Sequence, residues 1–314
     1  EQSQYLMPEA EEALAAEISL SGSRAWERLR GVVTSQLQVP FSRDGQEEML
    51  PITVVQGYRT HPDPALRRQG YEVEMKAWES VQEPLAACLN GIKGTVITLN
   101  RRRGREDALH EALDQARIDR ETLSAMLVAM RDAFPTFRRY WQAKAKRLGQ
   151  EALPWWDLFA PVGSVERRYP FGEARNMIVS ELGAFHGRLG RFVEHAFQER
   201  WIDAEPRAGK RGGAFCMRVP GPKESRILCN YDGSLDEVLT LAHELGHAYH
   251  NECLREKTPL QRQTPMTLAE TASIFNQTIM TDAVLARAKD PQEELAILEA
   301  FLTDAGQVVV DITS

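Results

Sequence analysis

The stretch "NYDGSLDEVLTLAHELGHAYHNEC", residues 230–253, decides how the rest of the chain is read. Asp232 and Gly233 form a turn signal, Ser234 is a good N-cap, and Glu237 three positions later completes the spacing of a capping box. A helix is therefore expected from about Leu235 to beyond His250. At 3.6 residues per turn, His243 and His247 project within about 40° of one another, so both imidazoles can meet one ion from the same side. Glu244 is displaced along the helix surface, near that ion without being obliged to bind it. This is the pattern in which two histidines ligate zinc and the glutamate takes a proton from water held there. A chance HExxH in a chain of 314 residues has odds below about one per cent at ordinary His and Glu usage.

The same helix narrows the remaining ligands. The longer pattern HExxHxxGxxH is excluded, because His250 stands at the Gly position and Cys253 at the last His position. Glu252 and Glu256 project about 180° and 140° away from His243. The next carboxylate is Glu270 in "TPMTLAETASIFNQ", where a new helix follows Pro259 and Pro265. A helix returning against the first can present Glu270 to the ion, packed through a stripe of Leu268, Ala272, Phe275 and Ile279. Two alternatives stay open: Glu270 completes a capping box with Thr267, or the third ligand is Glu293 or Glu294 after Pro291. Gly246 costs the helix about 1 kcal/mol relative to Ala, which suits either open access for a substrate backbone or a tight helix crossing. His250 falls within about 20° of His243 and shares the metal face, as a substrate-binding donor or a partner for a carboxylate.

Outward from this segment, helical periodicity covers residues 8–19, 23–37, 62–90, 106–116, 120–147, 171–199, 234–255, 266–288 and 291–305. The fold class is mainly α. Strand-like runs are few: "TVITLN" at 95–100, "GAFCMRV" at 213–219 and "RILCNY" at 226–231. The last two flank "PGPKES" and read as a hairpin beside the HELGH helix. The stretch "VPFSRDGQEEMLPIT", 39–53, reads as a boundary, giving an N-terminal helical lobe over 1–45 and a catalytic domain with the HELGH metal site over 46–314.

Composition sets outer limits. Lys plus Arg total 38 against 45 Asp plus Glu, a net charge of −7 that argues against nucleic-acid or anionic-membrane partners. No window is long and apolar enough to span a bilayer, and the N-terminus lacks the layout of a signal peptide. Cys88, Cys216, Cys229 and Cys253 have no CxxC spacing, which fits a reducing compartment rather than a disulfide framework. A cytoplasmic protein is expected. The chain begins without Met and stops after "QVVVDITS", so a fragment is expected too.

At this point the sequence resembles the oligoendopeptidase F family of zinc oligopeptidases, relatives of thimet oligopeptidase. The resemblance rests on "NYDGSLDEVLTLAHELGHAYH", "TLAETASIFNQ", "GKRGGAFC", "WWDLFAPV" and "SLSGSRAW", spread from near residue 19 to near residue 280. It implies His243, His247 and Glu270 as ligands of one Zn2+ per chain and Glu244 as general base. It also implies a zincin-like helical bowl whose channel admits short peptides. An extended peptide would add to the strand edge by main-chain hydrogen bonds, with Gly212, Gly213 and Ala214 allowing close approach. Family members run to about twice this length and carry a downstream Tyr- and Gly-rich segment that stabilises the tetrahedral intermediate. Here a missing C-terminal segment or a second polypeptide would supply it, unless Tyr231, Tyr249 or His250 serves instead. The function expected is hydrolysis of internal bonds in short oligopeptides. The alternatives are a metal-retaining peptide-binding module without turnover, or a zinc aminopeptidase, for which no GxMEN-like strand is present.

Overall fold

In a computed structural model the described residues are 2–43, 45–163, 167–207, 210 and 213–313. The chain forms two compact units: residues 1–162 together with 302–314, and residues 163–301.

The first unit is helical around one hairpin. Its elements are α1 (Glu9–Ser21), α2 (Ser23–Ser35), β1 (Gln38–Arg43), β2 (Gln46–Pro51), α3 (Ile52–Gly57), α4 (Pro64–Ser80), α5 (Gln82–Arg102), α6 (His110–Ala116) and α7 (Arg120–Arg147). β1 and β2 pair antiparallel from Gln38↔Pro51 to Arg43↔Gln46. The stretch 39–53, expected to hold a boundary, contains this hairpin, and the compact units divide at 162/163 and 301/302. Asp44-Gly45 is a strong hairpin dipeptide, and Gly45 supplies the positive φ of +78° that such tight turns require. Alternation turns Val39 and Phe41 inward, where they pack with Ile52, Val55 and Ala77. The expected strand at 95–100 is helical and belongs to α5. Asn90-Gly91 and Gly94 before it are turn signals, yet the 21-residue helix runs through them, and Gly91 lies against Trp26, whose ring a Cβ would meet at 2.5 Å, so helix packing outweighs both the turn residues and the β-propensity of six residues.

A buried ion pair anchors the "WWDLFAPV" segment. Arg67 Nε donates to Asp157 Oδ1 at 2.7 Å, and Gln150 donates to the other Asp157 oxygen at 2.6 Å. Asp157 is fully buried and its acceptors are engaged, which gives this motif a structural task.

The second unit holds the motif helix. Its elements are α8 (Phe171–Phe185), α9 (Gly187–Gln198), β3 (Ile202–Asp203), β4 (Phe215–Val219), β5 (Glu224–Leu228), α10 (Leu235–Cys253), α11 (Met266–Ala269), α12 (Thr271–Leu285) and α13 (Pro291–Gly306), which leaves the unit after Phe301. The expected hairpin is present: β4 pairs antiparallel with β5 from Phe215↔Leu228 to Val219↔Glu224. β3 pairs parallel with the other side of β5, so the strand order is β3-β5-β4 and β4 lies at the edge. The core beneath is formed by Ile178, Leu182, Val193, Val238, Leu241, Leu245 and Met280, all fully buried. The structure is mainly α, as expected, with a small sheet next to α10.

Candidate active site

α10 begins as its sequence dictates on one side only. Ser234 Oγ accepts from the Glu237 backbone N–H at 3.3 Å, whereas the Ser234 N–H donates to Asp232 Oδ1 at 2.7 Å. The reciprocal half of the capping box is therefore taken by the nearer Asp232, and Glu237 Oε2 is buried without a partner. From there the helix buries Leu235, Val238, Leu241, Ala242, Leu245 and Ala248 against the core. The opposite face carries His243, Glu244, His247, His250 and Asn251 into one cavity of about 450 Å3.

Two other segments close that cavity. Ala214, Phe215 and Cys216 enter from the start of β4, and Thr264, Ala269 and Glu270 from the chain that returns after α10. Glu270 is placed by a break: α11 ends at Ala269, α12 begins at Thr271, and Glu270 lies between them with φ −90° and ψ −1°. Thr267 lies inside α11, whose N-cap position is Pro265, so it does not stand where the capping alternative needs an N-cap residue. Glu293 accepts from the Lys289 backbone N–H at 2.9 Å and lines a different cavity, so the fallback at residues 293–294 is not brought to the histidines.

The expected packing stripe holds only in part: Ile279 packs against the core and Ala272 against Gly246 of α10. Leu268 and Phe275 are exposed, and the buried positions are Ser273, Asn276, Met280, Thr281 and Val284. The reason is the closeness of α10, which admits small and polar groups at the crossing. A Cβ on Gly246 would meet Ala272 O at 2.4 Å and Ser273 Cα at 2.6 Å. Gly246 therefore serves the helix crossing, and the expectation that it opens the site to substrate is overturned: it is buried and faces α12.

His243 Nε2 lies 3.1 Å from Glu270 Oε2, and His247 Nε2 lies 3.2 Å from the same oxygen. The two rings are 4.9 Å apart at 80°. On its other side, His243 Nδ1 is 2.9 Å from Gln277 Oε1. Ser273 Oγ donates to Glu270 Oε2 at 2.8 Å. Burial lowers the pKa of His247, which favours the neutral ring with a lone pair. Electron-pair donors facing one another at such distances repel unless a cation lies among them. The three candidate ligand atoms lie within 4.8 Å of one another, and a two-His, one-carboxylate set suits a zinc site that keeps a further position open. The residues present thus fit a metal ion.

Glu244 is 6 % exposed, and its Oε2 is buried with no hydrogen-bond partner. Burial raises its pKa above the usual carboxylate range, more than neighbouring His243 lowers it. Cys216, in the same cavity, has its thiol pushed up to about 12 by burial, so it is an unreactive wall residue. Gly213 has φ +77° just before Ala214, while Gly212 lies outside the described residues. Of the tyrosines considered, Tyr231 donates its hydroxyl to Tyr169 O at 2.6 Å and Tyr249 packs edge-on to Phe192. Neither lines the cavity, whereas His250 does.

Sequence reasoning missed Gln277, Ser273 and Asn251. The signal available for Ser273 and Gln277 was their spacing from Glu270, three and seven residues on, which a helix places on one face. Lys210 was missed as well. Its ammonium is buried and donates to the carbonyls of Asp203, Glu205 and Cys229 at 2.9, 2.9 and 2.6 Å.

Comparison with known proteins covers most of the chain. The family model described as Peptidase family M3 matches residues 58–308. The chain is 26% identical over 312 residues to the oligoendopeptidase F homolog of Lactococcus lactis subsp. lactis, covering 95% of this chain and 50% of that protein. It is 28% identical over 243 residues to the group B oligopeptidase PepB of Streptococcus agalactiae, covering 76% of this chain and 40% of that one. A crystal structure from Chlamydophila abortus superposes with a TM-score of 0.80 at 22% identity, over 98% of this chain and 52% of that one. Oligoendopeptidase-F from Enterococcus faecium superposes with a TM-score of 0.70 at 17% identity, over 99% and 50%. The chain spans about half the length of the curated relatives it matches.

Proposed function

The chain belongs to peptidase family M3, and on that premise we propose that it acts as a zinc endopeptidase on internal bonds of short peptides. The observation that carries the reading is the convergence of His243, His247 and Glu270 beside the buried Glu244 in the wall of one cavity. In this reading His243 and His247 would hold the ion through Nε2, and Glu270 through Oε2. A zinc ion bound there supplies Lewis acidity, which polarises a peptide carbonyl and makes a water proton easier to remove.

The rest follows from the protein's own groups. The unpartnered Glu244 oxygen accepts the proton from the attacking water. Burial raises its pKa, which favours holding the proton it has taken until that proton passes to the leaving amine. The β4 edge, with Gly213 and Ala214 at its entrance, can bond the main chain of an extended peptide. Such bonding is indifferent to side chains, as a general oligopeptidase needs. His250 and Asn251 offer further donors on the α10 wall. The free thiols of Cys88, Cys216, Cys229 and Cys253 support a reducing, cytoplasmic setting, and no described helix is long and apolar enough to cross a membrane.

A second reading is a metal-holding peptide binder without turnover. It is favoured by the absence of a tyrosine hydroxyl among the described lining residues, since oxyanion donors contribute about 100- to 1000-fold to turnover. An internally quenched peptide, incubated with and without chelator and followed by product mass, separates the readings. Chelator-sensitive internal cleavage supports the endopeptidase. Stepwise loss of N-terminal residues would indicate an aminopeptidase, and saturable binding without cleavage would leave only the binder.

A further inference from the structure

Glu270, Ser273 and Gln277 share the face of the returning chain that meets the α10 histidines. Glu270 approaches both rings, Ser273 Oγ holds the Glu270 carboxylate at 2.8 Å, and Gln277 Oε1 lies 2.9 Å from His243 Nδ1. The Gln277 contact determines the form of the ring. An amide oxygen can only accept, so in this contact Nδ1 carries the hydrogen, and Nε2, facing Glu270, is the ring nitrogen that can ligate a metal ion. One residue away, Asn276 is buried and its Nδ2 donates to Ala242 O at 3.5 Å. His243 is thus held through its ring by Gln277, and its chain neighbour is held through the backbone by Asn276.

We propose that Gln277 is a positioning residue for His243: it selects the tautomer and fixes the ring plane so that Nε2 is ready to ligate zinc, and it does so without charge. A carboxylate here would make the same hydrogen bond but would add a negative charge beside Glu244 and Glu270. The neutral amide leaves Glu270 as the one anionic ligand, which preserves the positive character of the ion. The hydrogen-bond partner of a metal-ligating histidine commonly contributes 10- to 100-fold to metal affinity, and Gln277 occupies that position. The inference rests on the reading that His243, His247 and Glu270 hold the metal.

The test is zinc affinity, measured by competition with a chromophoric chelator, together with the melting temperature of the metal-free protein. Gln277→Met keeps the length of the side chain and removes the acceptor. It should weaken zinc binding about 10- to 100-fold while the metal-free melting temperature stays near that of the parent. Gln277→Glu restores the acceptor and should bind zinc at least as tightly as the parent. In the zinc-loaded parent, nitrogen-15 NMR of the histidine rings should find the His243 hydrogen on Nδ1. Parent-like zinc affinity in Gln277→Met, equal weakening in Gln277→Met and Gln277→Glu, or a zinc-loaded His243 with its hydrogen on Nε2 would each overturn the proposal. A His243→Ala/His247→Ala double variant distinguishes the two levels. If it loses zinc and Gln277→Met does not, only the role of Gln277 fails; if it binds zinc as the parent does, the metal reading fails and takes this inference with it.

Discussion

Gly246 and Ala272 touch backbone to backbone: a methyl group on Gly246 would lie 2.4 Å from the Ala272 carbonyl oxygen. The two helices that carry the candidate ligands are therefore set apart by the width of a glycine. Gly246→Ala would gain about 1 kcal/mol in helix propensity, but the overpacking it forces costs roughly 1–3 kcal/mol. We expect a lower melting temperature and weaker zinc binding together, because Glu270 moves with α12. A rise in both would show that the crossing relaxes freely.

Glu270 is expected to matter for the metal more than for the fold. Zinc at a hundred times its dissociation constant adds about 2.7 kcal/mol of stability. Glu270→Ala should abolish most of that increment while leaving the metal-free protein near its parent stability, since the side chain is 53% exposed. Ser273→Ala, which removes only the hydroxyl that holds Glu270, should give an intermediate loss. Chelator competition on the three proteins ranks them, and a zinc increment unchanged by Glu270→Ala would place the third ligand elsewhere.

Glu244→Gln should retain zinc and lose peptide hydrolysis by about 100-fold or more, because the amide cannot accept the water proton. It also has a pH signature in the metal-free state. Burial raises the folded-state pKa of Glu244 above its ordinary value of 4.5, so its favourable contribution is complete below that value and is lost as pH rises through the raised pKa. Above the raised pKa a buried charge destabilises the parent, and Glu244→Gln should melt higher than the parent near neutral pH. The difference should shrink as pH falls toward 4.5. Melting curves of both proteins across that range decide it; a constant difference would mean Glu244 titrates normally.

Lys210 clamps the ends of β3 and β5. Its ammonium bonds three backbone carbonyls and Asp203 Oδ1 at 3.1 Å, and it holds that carboxyl well below the usual range together with Arg207. Lys210→Met would leave buried acceptors unmatched and should cost about 1–3 kcal/mol in urea unfolding. Lys210→Arg should recover part of it. A change in Lys210→Met no larger than an ordinary surface substitution, about 0.5 kcal/mol, would remove the clamp.

What the sequence determined by itself was local. The start of α10, the shared face of His243 and His247, the offset of Glu244 and the β4–β5 hairpin all follow from caps, turn residues and the periods of helix and strand, which act within a few residues. Even Glu270 was reachable, by elimination along one helix and by the length of the returning loop. Local rules misled where longer contacts compete with them: "TVITLN" has strand composition but continues α5, where Gly91 lies against Trp26.

The tertiary structure alone decided how two helices distant in sequence meet. A stripe of Leu268, Ala272, Phe275 and Ile279 is the natural expectation for packing, yet Leu268 and Phe275 are exposed while Ser273, Asn276 and Met280 are buried. The role of Gly246 and the pairing of Gln277 with His243 exist only once that packing is set. Both depend on contacts between residues some thirty positions apart, where the chain's own periodicity carries no information and only the packing of whole helices decides which atoms come together.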